Sequence, residues 1–271
     1  MSHNSMTFIG IIPARYGSSR FPGKPLAELG GKTVIQRVYE QAKKILETVI
    51  VATDDQRIYD CVKTFGGQVV MTSSDHTCGT DRVYEAYQHY CATCLSPIVN
   101  EKTVVINIQG DEPFIQPDQV QALMDCFPTE IATLVHPFSP SDTFEDLQNS
   151  NYVKVAIACD QNENEGPVIG RALYFSRSVI PFLRGVECSK WTELGHHFRH
   201  IGLYAYRADV LQKITRMQPS GLEKLESLEQ LRWLENGLTI RVALTHNTSI
   251  GIDTPEDLQN AIEFLNNNPD L

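Results

Sequence analysis

Three cations, Arg15, Arg20 and Lys24, stand in the stretch GIIPARYGSSRFPGKPL at residues 10–26, a loop studded with glycine and proline that follows an apolar run. Cations on such a loop can spread over a polyphosphate, and glycine lets the backbone come close to it. Attack at a phosphorus drives negative charge onto the departing group, and fixed cations stabilise that charge. Two familiar phosphate loops are excluded. A P-loop needs G-x-x-x-x-G-K-[S/T], whereas five residues separate Gly17 from Gly23 and Lys24 is followed by Pro25. There is no G-x-G-x-x-G either. What remains is a site for a nucleoside triphosphate, against the plainer reading of a surface loop with solvated charges.

A second group is acidic. In INIQGDEPFI, residues 106–115, a strand-like run ends, Gly110 turns the chain, and Asp111 and Glu112 emerge. In GIDTPEDL, residues 251–258, Thr254 can cap a helix with Pro255 at its first position, which leaves the Asp253 carboxylate for other work. Carboxylate oxygens suit Mg2+, which takes one or two of them together with substrate phosphates. The competing readings are a turn aspartate at 111 and a capping aspartate at 253. A third stretch, DHTCGTDR at residues 75–82, offers a tight loop in which Gly79 allows close approach to a base, while Asp81 and Arg82 read equally well as a helix-start pair on the surface. No Ser/His/Asp nucleophile is evident, and Cys78 is a poor candidate for one.

The elements that must position these groups alternate. FIGII, TVIVA, QVVM and TVVINI are strand-like, and amphipathic segments at 33–46, 55–65, 79–93 and 117–126 follow them. This pattern predicts an α/β fold with a mostly parallel central sheet flanked by helices, whose ligands gather at the carboxyl ends of the strands. The loops after FIGII and TVVINI both lie there. Thr33 and Asp54 are available as helix caps, and Gly66-Gly67 closes the second helix. From about residue 131 the rhythm becomes mixed: IATLVHP, VKVAIA, RALYFSR and HIGLYAYR are strand-like, 160–168 and 184–198 read as loops, and 222–236 reads as one helix. Leu222, Leu225, Leu228, Leu231 and Leu234 recur on it at helical spacing and read as packing. No linker or repeat interrupts the chain, so one continuous domain over 1–271 is expected.

Composition narrows the partners. Of 271 residues 42% are hydrophobic, enough for an ordinary core. The net charge is −10, yet residues 1–44 hold seven Lys/Arg against two Asp/Glu and carry +5, leaving −15 for the rest. An acidic surface with one basic loop favours a small polyanion and excludes nucleic acid and anionic membranes. There is no apolar run near the roughly 18 residues a membrane span needs, and MSHNSMTFIG lacks a signal-peptide pattern, so a cytoplasmic protein is expected. Seven cysteines read as small hydrophobes, the single C-x-x-C at Cys91 and Cys94 included.

The wording of the chain resembles a known family. IIPARYGSSRFPGKPL, VATDD, DHTCGTDRV, INIQGDEPFI, LYFSR, RHIGLYAYR, LEKLESLEQLRWLENG and GIDTPEDL occur in the order found in the cytidylyltransferases that activate 3-deoxy-D-manno-octulosonate, and they span residues 9–258. The resemblance implies the Rossmann-like fold of nucleotide-diphospho-sugar transferases. It implies a nucleotide-binding half at about 6–130, a sugar-binding and dimer region at about 131–240, and a returning strand and helix at 241–271 that carry a metal ligand. It also implies Mg2+ on Asp111 and Asp253, CTP held by Pro13, Ala14, Arg15, Arg20, Lys24, Cys78, Gly79 and Thr80, and catalytic roles for Arg15, Lys24 and Asp111. Cys78 replaces the family's usual serine. The sugar acid is expected on Gln109, Arg177, His200, Tyr204, Glu229 and Gln230; taken alone, His200 reads as a core histidine and Glu229 and Gln230 as solvated helix positions. The implied product is a CMP-sugar for lipopolysaccharide, made by a homodimer. The rivals are a cytidylyltransferase for another acidic sugar, such as a sialic acid, and a catalytically silent nucleotide binder of the same fold. Met6 is a candidate start, because MTFIGIIPAR begins much as relatives begin.

Overall fold

A computed structural model of the chain describes residues 6–17, 20–76, 78–94, 100–160, 166–194, 196–247 and 250–268. In chain order the elements begin with β1 (Thr7–Ala14), β2 (Glu28–Leu29), β3 (Lys32–Thr33), α1 (Val34–Lys43), β4 (Thr48–Thr53), α2 (Gln56–Thr64) and β5 (Gln68–Met71). They continue with α3 (Gly79–Cys94), β6 (Thr103–Asn107), α4 (Pro117–Met124), β7 (Ile131–Pro137), α5 (Phe144–Gln148), β8 (Lys154–Cys159) and β9 (Val168–Ser176). The last are β10 (Phe198–Arg207), α6 (Ala208–Ile214), α7 (Gly221–Glu226), α8 (Glu229–Glu235), β11 (Ile240–Leu244) and α9 (Pro255–Asn267). Two compact units result, one from residues 1–120, 207–215 and 248–271, the other from 121–206 and 216–247.

In the first unit β5, β4, β1 and β6 lie side by side in that order and run parallel, as the alternation predicts. β1 is central: Ile11 sits opposite Ile50 on one neighbour and Asn107 on the other. Ile9, Ile11 and Ile12 are all buried, because a strand covered on both faces by helices has no solvent side to make polar. α1 and α3 both pack on β1 and β4, α1 through Val34, Ile35, Val38 and Ala42 and α3 through Val83, Ala86 and Tyr87. Thr33 caps α1 as predicted, its hydroxyl accepting the Gln36 N–H at 3.3 Å. The cap of α2 is Asp55 and not Asp54: Asp55 accepts the Arg57 N–H at 2.9 Å, while Asp54 is engaged by Arg82 at 2.6 Å. Gly66, at φ 77°, and Gly67, whose N–H donates to the Val62 carbonyl at 2.9 Å, end that helix.

Gly110 sets how closely the ends of β6 and β1 approach. A Cβ there would lie 2.7 Å from the Pro13 carbonyl oxygen, a backbone atom that cannot swing aside. Gly110→Ala is therefore expected to lower unfolding stability by about 1–3 kcal/mol in a denaturant titration. An unchanged midpoint would mean that the two strand ends can separate without cost.

In the second unit β10, β7, β11, β9 and β8 line up in that order, with β7 and β11 parallel and the remaining pairs antiparallel. β8 meets β10 again at Lys154 and Arg199, so these strands curl back on themselves. Tyr204 stacks on Tyr206 at 5.8 Å, and both rings meet Trp233 edge-on. Buried Lys154 donates to the carbonyls of Asn149 and Arg177 at 3.0 and 2.6 Å.

The single helix expected at 222–236 is two. α7, opened by a capping box between Ser220 and Glu223, stops at Ser227, which adopts a left-handed conformation at φ 53°, and α8 begins after Leu228. The break takes Leu225 off the apolar face: it is 83% exposed, whereas Leu228 and Leu231 are buried. The expected loops at 160–168 and 184–198 lie partly outside the described residues; a short 3-10 turn at Cys188–Lys190 falls in the second. No disulfide joins the seven cysteines, and Cys91 is buried and Cys94 exposed at the end of α3. Among the described residues no helix is long and apolar enough to cross a membrane.

Candidate active site

The basic loop is pinned at both ends. Gly23, left-handed at φ 76°, donates its N–H to the Tyr16 carbonyl at 2.9 Å, and Lys24 opens a 3-10 turn with buried Pro25. The Tyr16 ring centroid lies 3.3 Å from the Arg57 guanidinium carbon, and Asp55 pairs with the same guanidinium at 2.6 Å. Lys24 is thus presented from a fixed backbone, not from a solvated loop.

The acids reach the same point by separate routes. Asp111 follows Gly110 past the end of β6, and its carbonyl accepts the Ile252 N–H at 2.9 Å. That bond brings Asp253 beside it. Thr254, not Asp253, caps α9: its hydroxyl accepts the Asp257 N–H, while the Asp257 carboxylate takes the N–H groups of Asp253 and Thr254. The Asp253 carboxylate is therefore released, as the Thr-Pro signal predicts. Lys24 Nζ joins the two acids, 2.5 Å from Asp111 Oδ2 and 2.9 Å from Asp253 Oδ1, and Arg20 reaches Asp253 Oδ2 at 2.9 Å. Burial works against the Lys24 charge, but Asp111 and then Asp253 outweigh it and hold its pKa above the ordinary lysine value.

Around this cluster is a cavity of about 330 Å³, lined by Pro13, Ala14, Arg15, Arg20, Lys24, Cys78, Gly79, Gln109, Asp111 and Asp253 from the expected set. Thr80 is buried and is not on the wall. The start of α3 opens here, adding the partial positive charge of a helix N-terminus to a wall already rich in cations. Cys78 Sγ accepts the Asp81 N–H at 3.5 Å, so the sulfur meets one of the first backbone donors of α3.

Sequence reasoning missed part of this wall. Arg82 is buried and not at the surface, donating to Thr72 Oγ1 at 2.5 Å and Asp54 Oδ2 at 2.6 Å, and it lines the cavity together with His76. The only sequence signal was their place in DHTCGTDR. Arg82→Met leaves Asp54 without its partner, and a loss of about 3–5 kcal/mol of unfolding stability is expected, read by thermal and denaturant unfolding. A loss below about 1 kcal/mol would make the pair an ordinary surface bridge.

Gln109 lines the first unit's cavity, and the other five sugar candidates lie in the second unit. His200 Nε2 lies 3.1 Å from Thr133 Oγ1, its ring edge-on to Phe175 and beside Tyr204; burial pushes its pKa down to about 3, so the ring is neutral. Burial first, then Tyr206 and Glu229, pushes the Tyr204 phenol well above its usual range. Arg177 donates to the carbonyls of Glu226, Ser150 and, at 3.4 Å, Ser227. Glu229 pairs with Arg232 at 2.7 Å and is not simply solvated, and the buried Gln230 amide nitrogen has no hydrogen-bond partner among the described residues.

The cytidylyltransferase family model matches residues 9–240. The 3-deoxy-manno-octulosonate cytidylyltransferase of Parabacteroides distasonis is 55% identical over 266 residues, covering 97% of this chain and 99% of the relative. That of Phocaeicola vulgatus is 56% identical over 263 residues, covering 96% and 98%. A solved CMP:2-keto-3-deoxy-manno-octonic acid synthetase, complexed with CTP, superposes with a TM-score of 0.81 at 38% identity, covering 97% of this chain and 99% of that one. With a matching model over most of its length and relatives identical at more than half their positions, the chain belongs to the 3-deoxy-manno-octulosonate cytidylyltransferase family.

Proposed function

We propose that this chain transfers the cytidylyl group of CTP to the anomeric hydroxyl of 3-deoxy-D-manno-octulosonate, giving CMP-octulosonate and pyrophosphate for lipopolysaccharide assembly in the cytoplasm. The observation that carries this is the Lys24 ammonium held between Asp111 and Asp253 at the wall of a cationic cavity, in a chain of this family.

Arg15, Arg20 and Lys24 take the triphosphate, and Pro13, Ala14, Cys78 and Gly79, which line the same cavity, surround the nucleoside, with Thr80 buried behind them. The Lys24 contacts support a cation site: two carboxylates reached by one ammonium lie within the span of a single ion, and two carboxylates with phosphate oxygens are a fitting set for Mg2+. Bound there, Mg2+ supplies positive charge to the phosphate oxygens and lowers the pKa of a hydroxyl it touches. Lys24 and Arg20 then exchange their carboxylate partners for phosphate oxygens, and with Arg15 they stabilise the charge that grows on the departing pyrophosphate.

The sugar oxygen forms a bond to the α-phosphorus, the bond from that phosphorus to the β-phosphate oxygen breaks, and the hydroxyl proton passes to solvent. Gln109, on the wall of the same cavity, orients the sugar acid. Holding both substrates in attack geometry contributes on the order of 7–11 kcal/mol in well-aligned cases. No side chain of the chain needs to become cytidylylated. Turnover of CTP bearing a chiral α-thiophosphate tests both the transfer and its course: a CMP-sugar of inverted configuration at phosphorus is expected. Retention would require a covalent enzyme intermediate, and no CMP-sugar would remove the reaction itself.

A further inference from the structure

Outside the phosphate cluster, the cavity wall carries an imidazole whose surroundings are unusually well specified. His76 shares the wall with Arg15, Lys24, Gly79 and Arg82, and its Nε2 lies against Glu85 Oε2 of α3. The same Glu85 oxygen accepts the Ser73 N–H at 2.9 Å, and its other oxygen lies 3.5 Å from His89 Nε2. Burial opposes its charge, but the Ser73 N–H and the His76 ring hold the Glu85 carboxyl below the usual glutamate range. Glu85 is therefore an ionised group that can only accept, so the His76 nitrogen facing it must carry a proton. A neutral histidine has one N–H and one bare nitrogen, and a partner that fixes the first also fixes the second as an acceptor.

Among the charged side chains of the wall few acceptors are left over. Arg15, Arg20, Lys24 and Arg82 offer only donors, which suits phosphate. The carboxylates of Asp111 and Asp253 are engaged by Lys24 and Arg20. A nucleoside, however, also presents donors: the ribose hydroxyls and, in cytosine, an exocyclic amine. We propose that His76 is a specificity residue of the nucleotide site, its Nδ1 accepting a hydrogen bond from an O–H or N–H donor of the nucleoside, and that Glu85 is a positioning residue acting through it. This rests on the cavity being the CTP site.

The test is calorimetric titration of CTP, UTP, 2′-deoxy-CTP and 3′-deoxy-CTP into the wild-type chain and into His76→Leu, His76→Asn and Glu85→Gln, with unfolding midpoints recorded for each variant. His76→Leu is expected to weaken CTP about tenfold, the worth of one hydrogen bond. His76→Asn, whose amide oxygen can stand in for Nδ1, restores most of the loss, and Glu85→Gln falls between, because a ring with an amide neighbour is no longer held in one proton arrangement. One analogue, the one lacking the donor, binds wild type and His76→Leu equally and so names the partner: the amine for UTP, a ribose hydroxyl for a deoxy-nucleotide. In turnover the KM for CTP rises and kcat holds. The proposal is overturned if His76→Leu binds CTP as wild type does, or if all four nucleotides weaken alike. Failure of CTP to bind the wild-type chain is a separate result that overturns the assignment of the cavity.

Discussion

Asp111→Asn lowers turnover by about 10²–10³-fold while the chain stays folded, the loss seen when one preorganised electrostatic partner of a charged transition state is removed. The expectation follows from how the residue is held. Its backbone carbonyl, which the substitution leaves intact, receives the Ile252 N–H and keeps the Asp253 segment in place, so the structural part of the residue survives. Its carboxylate shares Lys24 with Asp253 and is the group that a cation beside the phosphates would use. Asparagine keeps the shape and loses the charge. Pyrophosphate release at saturating substrates, with an unfolding midpoint alongside, measures both parts; near-normal release would take Asp111 out of the cation site.

Lys24→Met is expected to cost about 10²-fold in kcat/KM for CTP, because a fixed positive charge is removed where the departing pyrophosphate develops its own. A second effect distinguishes this from general damage. In the nucleotide-free chain Lys24 is the counter-ion shared by Asp111 and Asp253, and without it Arg20 is the one cation that pairs with either carboxylate among the described residues. Added Mg2+ should then raise the thermal midpoint of the nucleotide-free variant by several degrees more than that of the wild type. Equal responses to Mg2+ would mean that the ammonium and the ion do not compete for the same place.

Much of the site was legible because it follows from local rules. Thr254 and Pro255 mark a helix start strongly enough to release Asp253, and the structure has that capping box. The loop after FIGII falls at a strand end because a parallel sheet puts it there. What was not legible depends on partners distant in sequence. Asp54 and Asp55 are equally good caps by type, and only Arg82, 28 residues away, decides which one is engaged elsewhere. Arg82 itself has the appearance of a surface helix start, and its burial reflects Thr72 and Asp54 meeting at the ends of neighbouring strands. The leucine spacing of 222–234 continues through Ser227, but a single left-handed residue breaks the helix and turns Leu225 outward. His76 and Glu85 sit on a loop and a helix, so no periodicity connects them. Legibility here falls with the number of long-range contacts a side chain needs in order to acquire its role.

The central claim is that the cationic cavity with Lys24, Asp111 and Asp253 carries out transfer from CTP to one acidic sugar. It is tested most directly by pyrophosphate release with Mg2+, CTP and 3-deoxy-D-manno-octulosonate, run beside N-acetylneuraminate, without sugar, and with ATP, GTP or UTP in place of CTP. Release confined to CTP with the octulosonate is the predicted result. Release only with the sialic acid would keep the cavity and overturn the sugar, and no release under any condition would contradict the account and leave a nucleotide-binding protein without turnover.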